Sequence, residues 1–225
     1  MVAVALLIFR IEREAAVPIA CSKWADGVDH EHQPMIAEQV GPLVYFVGDS
    51  YTGGSPMDAG VQWHEYVARD YMWSGRNLGV GLSGYVQRGT NGTTYLDRIE
   101  SSRLFAADMV VVSGGLNDVR RTPESLIVPA VRSTLCRIRD LAPDVPVAVL
   151  SVFAAARDYG ISRMNTVLEA EARRIGAAYI DVTDVLEQSA GSVGSDGTHP
   201  TDIGHRVLAE SIGPMLPRPR GSLAR

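Results

Sequence analysis

The chain has 225 residues, of which 46% are hydrophobic, with a formal net charge of -5 and a pI near 5.5. Such a length suits one domain with a substantial core, and the acidic balance argues against the basic surface that nucleic-acid binding requires. Its two cysteines, Cys21 and Cys136, could form one bridge, but they are far apart in sequence, match no metal-ligand spacing and read as unpaired structural thiols.

The opening apolar run from Met1 to Phe9 is short, has no positively charged leader and meets Arg10, Glu12, Arg13 and Glu14. It reads as neither a signal peptide nor a membrane span, which favours a cytoplasmic location. Pro18-Ile-Ala-Cys21 has the outline of a lipoprotein cleavage site, but charged residues interrupt the apolar stretch that such a signal needs. Residues 10–42 show no sustained periodicity, and 1–42 are read as an N-terminal extension. The His30-x-His32 pair within it is read as solvated surface rather than as metal ligands.

Leu43 to Val47 has the aromatic and β-branched content of a buried strand and is bounded by Gly48, so Ser50 is expected just past the strand's C-terminal end. Two readings of Gly48-Asp49-Ser50 stand side by side. Ser50 is a nucleophile in a tight glycine-flanked turn, or Asp49 or Ser50 simply caps the helix that follows. Val61 to Tyr71 has near-helical apolar spacing after the breakers Pro56 and Gly60, and Asn77 to Gly81 predicts a short second strand. Leu82 to Gly92 is dense in turn residues, and a partly helical passage then carries Tyr95, Leu96, Ile99 and Leu104. Met109 to Ser113 is the clearest strand. A helix is predicted from Pro123 to Leu141, a strand from Val145 to Val152, and a helix from Ser162 to Ile175. A short strand follows at Ala178 to Asp181, then a last helix from Ile203 to Leu216. Near-continuous apolar strands alternating with amphipathic helices predict five parallel strands in a three-layer α/β/α sandwich. The domain is expected over 43–216, with 217–225 as a C-terminal tail.

Three loops carry polar residues at the same predicted sheet edge. Gly79-Val-Gly81-Leu-Ser-Gly84 satisfies a dinucleotide-binding pattern, but it leads into Gln87-Arg-Gly-Thr-Asn-Gly92, which does not open the helix that a pyrophosphate needs. Cofactor binding is therefore the weaker reading, and none is assigned. Gly115-Leu116-Asn117-Asp118 follows the strongest strand, so Asn117 either donates its amide to a developing oxyanion or caps a turn. Asp196-Gly-Thr-His199 has a spacing at which one turn brings carboxylate and imidazole together, or Asp196 caps a turn and His199 lies on the surface.

The order and separation of these blocks resemble the SGNH hydrolases, also called GDSL esterases and lipases, over roughly residues 43 to 216. The resemblance implies a flavodoxin-like sheet and hydrolysis of ester, sometimes thioester or amide, bonds; no cofactor or metal is assigned. It also implies Ser50 as nucleophile, His199 as base and Asp196 as the residue orienting that base. The oxyanion hole would comprise the Ser50 amide, a glycine amide from the second block and the Asn117 side chain. Gly81 best fits the second block, with Gly84 and the Leu82 amide as alternatives. Tyr51, Tyr85 and Tyr95 either line the cleft or belong to the core. The expected partner is a small ester bearing a short acyl group, on a carbohydrate or natural product. An acyltransferase on the same triad and a noncatalytic binding domain are the rival readings.

Overall fold

A computed structural model describes residues 41–55, 60–153 and 159–222. The expectations for most of the N-terminal extension, including His30 and His32, lie outside them. Five parallel strands form one sheet in the order β2-β1-β3-β4-β5: β1 Leu43–Gly48, β2 Ser74–Gly79, β3 Met109–Val112, β4 Val147–Leu150 and β5 Ala178–Ile180. Every residue of β1, β3 and β4 is buried, which explains their unbroken apolar sequences.

Helices cover both faces, as expected for the three-layer sandwich. The α2 helix (Trp63–Asp70) packs on α7 (Asp202–Ile212), whereas α5 (Glu124–Leu141) packs on α3 (Tyr95–Glu100) and α6 (Tyr159–Arg174). Right-handed crossovers account for this division, because β1 to β2 runs across the sheet opposite to the later connections. The reversal makes β1 and β3 the topological switch point, where the loops leaving the two strands diverge and open a crevice. Among the described residues no helix is long and apolar enough to cross a membrane.

Several elements depart from the sequence expectation. β2 starts at Ser74 rather than Asn77 and ends at Gly79. It is an edge strand with exposed Gly75, Arg76 and Asn77, so half of it carries no apolar signal. The short helix α4 (Leu116–Arg121) was not expected, whereas the short α1 (Ser50–Gly53) is a helix of the kind that the capping reading of Gly48-Asp49-Ser50 called for. Tyr51, Tyr85 and Tyr95 are all buried and belong to the core.

Cys136 corrects the thiol expectation. It lies buried on α5 and is disulfide-bonded, and no described cysteine is free. The only other cysteine, Cys21, lies outside the described residues. Sequence separation had argued against pairing, but separation along a chain sets no lower limit on distance in space. Arg220, in the C-terminal tail, bonds through its amide to the Asp108 carbonyl (2.9 Å) and through its guanidinium to the Ala107 carbonyl (2.6 Å).

Candidate active site

The crevice at the switch point is built from backbone outward. Gly48 and Gly79 end their strands side by side as a pair, and Ser113, just past the end of β3, donates its amide to the Val47 carbonyl at 2.9 Å. A Cβ on Gly48 would lie 2.3 Å from Thr52 Oγ1 and 2.8 Å from Ser113 Oγ, so the turn into α1 admits only glycine. The Asp49 side chain caps α1 by accepting from the Tyr51 amide at 3.1 Å. The capping and nucleophile readings are thus compatible, since Asp49 caps and Ser50 is the first residue of the helix.

Ser50, Asp196 and His199 come together across the crevice. Ser50 Oγ lies 2.9 Å from His199 Nε2, and His199 Nδ1 lies 2.6 Å from Asp196 Oδ2. A carboxylate only accepts, so Nδ1 carries the proton and the Nε2 lone pair faces the serine hydroxyl. The other Asp196 oxygen accepts from the Thr198 amide (2.9 Å) and the His199 amide (3.0 Å), fixing the turn that aims the imidazole. These hydrogen bonds, the one from the His199 ring above all, hold the Asp196 carboxyl down at about 2.

Asn117 lies at the start of α4 behind Gly115, whose φ of +112 favours glycine. Its Nδ2 donates to the Ser83 carbonyl at 3.0 Å, leaving one amide hydrogen uncommitted by that bond. In the second block the Gly84 amide donates to the Gln87 carbonyl at 2.9 Å and is occupied. Among the described residues the amides of Ser50, Gly81 and Leu82 donate to nothing. Leu82 is exposed and has a left-handed φ of +63.

The sequence reading assigned no role to two charged residues beneath these loops, Asp118 and Arg98. Asp118, fully buried, accepts from the amides of Tyr85 (2.7 Å), Val86 (3.0 Å) and Gln87 (2.9 Å), pinning the second block to α4. Burial raises its carboxyl in spite of those three bonds. Arg98 extends under the crevice from α3, its Nε bonding to the Leu78 carbonyl (2.7 Å) and its Nη2 to the Gly48 carbonyl (2.9 Å) and Ser83 Oγ (3.0 Å). Burial pushes the Asp49 carboxyl up to about 6, with the Tyr51 and Gly115 amides opposing the shift.

Comparison with known proteins gives the family and the fold. Residues 46–207 match the GDSL-like Lipase/Acylhydrolase family. The chain is 29% identical over 206 residues to the GDSL lipase Rv0518 of Mycobacterium tuberculosis (strain ATCC 25618 / H37Rv), covering 84% of this chain and 88% of that protein. Its fold is similar to that of a protein from Lactobacillus plantarum, with a TM-score of 0.64 and 21% identity over 79% of this chain and 97% of the other. It is similar also to a family two carbohydrate esterase from Clostridium thermocellum in complex with cellohexaose, with a TM-score of 0.62 and 16% identity over 81% of this chain and 65% of the other. With the family match spanning most of the sheet and all three polar loops, the chain belongs to the GDSL-like lipase/acylhydrolase family, the SGNH hydrolases, and is by that membership a carboxylic ester hydrolase.

Proposed function

We propose that the chain cleaves esters of short acyl groups, such as acetyl, through an acyl-enzyme on Ser50, with 43–216 as the catalytic unit. The observation that carries this reading is the pair of contacts on one imidazole, 2.9 Å to Ser50 and 2.6 Å to Asp196. His199 Nε2 takes the hydroxyl proton as Ser50 Oγ attacks the carbonyl carbon, and Asp196 stabilises the imidazolium. The oxyanion is received by the Ser50 amide, the Gly81 amide and the remaining Asn117 hydrogen, with the Leu82 amide as the alternative second donor. Collapse breaks the ester bond, and His199 returns the proton to the leaving alcohol. Water then gives its proton to the same ring, attacks the acyl carbon and releases the acid, and Ser50 regains its hydrogen.

Side-chain exposures of 22% for His199 and 30% for Asp196 support an open site that water can enter. The same openness admits an alcohol acceptor, so acyl transfer is the second reading, tested by product analysis with an acceptor present. The Clostridium thermocellum protein, named a carbohydrate esterase, makes acylated carbohydrates the first natural substrates to test. The disulfide at Cys136 weighs against the cytoplasmic location and for an oxidising compartment.

The deciding experiment is a p-nitrophenyl ester series of increasing chain length, run beside Ser50→Ala and with fluorophosphonate labelling. Acetate should be preferred, Ser50→Ala should be inactive, and the wild-type chain should label at Ser50. A preference for chains beyond octanoate overturns the short-acyl assignment. A folded wild-type chain that stays unlabelled favours a noncatalytic binding role.

A further inference from the structure

The signature that names the G-D-S-L families ends in leucine, and this chain has Tyr51 there, directly after Ser50. A leucine can only pack. A tyrosine carries a hydroxyl that must find a partner when buried. Tyr51 is 2% exposed, and its hydroxyl donates to the backbone carbonyl of Thr198, the residue before His199. Its ring stacks on Phe153, which follows β4, with centroids 5.4 Å apart and planes 17° apart, and lies 5.8 Å from the His199 ring.

The placement matters because the loop bearing the base lies at the surface. Asp196 and Gly197 are exposed, and the bonds that shape the turn, from the Thr198 and His199 amides to Asp196, are internal to it. Internal bonds fix a loop's shape but do not fix where it stands relative to a nucleophile on another element. The Tyr51 hydroxyl bonds across 147 positions of sequence, from the helix that carries Ser50 to the loop that carries His199. Its ring is held in turn by Phe153, three residues past the end of β4.

We propose that Tyr51 is a positioning residue that holds the His199 loop against the nucleophile helix and so sets the distance between Ser50 Oγ and His199 Nε2. This rests on the reading of Ser50 as nucleophile and His199 as base. The ring of Tyr51 is buried among protein groups, so its effect falls on proton transfer and not on substrate affinity. Acylation and deacylation both use His199, and both slow when the hydroxyl is removed.

The test measures kcat and KM per labelled serine, with fluorophosphonate titration counting the competent sites. Tyr51→Phe, which removes only the hydroxyl, should lower kcat about tenfold, the scale of one lost hydrogen bond, with KM unchanged. Tyr51→Leu should lower kcat further, because the stacking on Phe153 is lost as well. A Tyr51→Phe enzyme with wild-type kcat per labelled serine overturns the proposal, even if its melting temperature falls. If Tyr51→Phe does not fold, Phe153→Leu decides: it should show the same fall in kcat at constant KM, and wild-type kcat per site overturns the proposal. A wild-type chain that does not label, or a fully active Ser50→Ala, refutes the triad reading itself and is recognised before any Tyr51 variant is made.

Discussion

Arg98 holds its guanidinium Nη2 2.9 Å from the carbonyl oxygen of Gly48, two residues before Ser50. The same side chain reaches the end of β2 at Leu78 and the second block at Ser83, so one planar cation fastens three segments that meet at the crevice. Arg98→Met leaves these acceptors buried without their donor, at about 1 to 3 kcal/mol each, and the expected loss of stability is about 3 kcal/mol or more. Arg98→Lys should recover only part of it, since a single ammonium cannot span the fork. Urea denaturation measures both, and a Met variant within about 0.5 kcal/mol of wild type would show that the guanidinium is not needed.

Asn117 has one amide hydrogen on the Ser83 carbonyl and is proposed to offer the other to the oxyanion. Asn117→Ala should lower kcat roughly 10²- to 10³-fold on p-nitrophenyl acetate, the usual scale for one oxyanion donor. Asn117→Asp should do no better, because a carboxylate there faces the Ser83 carbonyl and the developing negative charge. A folded Asn117→Ala enzyme with full activity removes the residue from the oxyanion hole.

The central strands were legible because β1, β3 and β4 are buried on both faces and admit only apolar residues. β2 was misplaced by three residues at its start because an edge strand can be polar, and Ser74-Gly75-Arg76-Asn77 shows no periodicity. At the candidate site, Ser50, Asn117, Asp196 and His199 could be singled out because each stands in a short block at a strand-to-helix junction, and the structure brings the serine, the aspartate and the histidine within hydrogen-bond distance. Asp118 was visible beside Asn117, but its work is to bind three amides some thirty positions away, which no local pattern encodes. Arg98 left a fainter mark, a charged residue on the same helical face as the fully buried Tyr95 and Ile99. Tyr51 was legible only as an aromatic, since its partner carbonyl belongs to the other end of the chain.

The disulfide at Cys136 can be checked on intact protein. Alkylation under denaturing, non-reducing conditions should leave Cys136 unmodified, and reduction should make it reactive. Reduction should lower the unfolding midpoint, because a cross-link restricts the unfolded chain by an amount on the order of a few kcal/mol. A Cys136 thiol that is alkylated without reduction, in protein prepared under oxidising conditions, would contradict the bond.

Two buried groups act on acid stability with opposite signs. His64, 2% exposed and packed against Phe46 and Trp63, is depressed by burial from 6.5 to about 4. The unfolded chain binds its proton first, so the stability that neutral His64 contributes is present above pH 6.5 and is lost as pH falls through 4. The contribution is on the order of 3 kcal/mol. Asp49, 2% exposed, is raised by burial from 3.8 to about 6, so the folded chain holds its proton more tightly. Its contribution, of similar order, is complete below pH 3.8 and is lost as pH rises through 6. Between pH 4 and 6 the two nearly cancel, while Asp196, held at about 2, stays ionised in the folded chain and adds little until pH nears the 3.8 of the unfolded chain. Removing either group should expose the other. Relative to wild type, His64→Gln should gain stability on acidification from pH 7 to 4.5, and Asp49→Asn should lose it. Urea titrations at a series of pH values read the difference, and two variants whose curves run parallel to wild type would show that neither group titrates in that window.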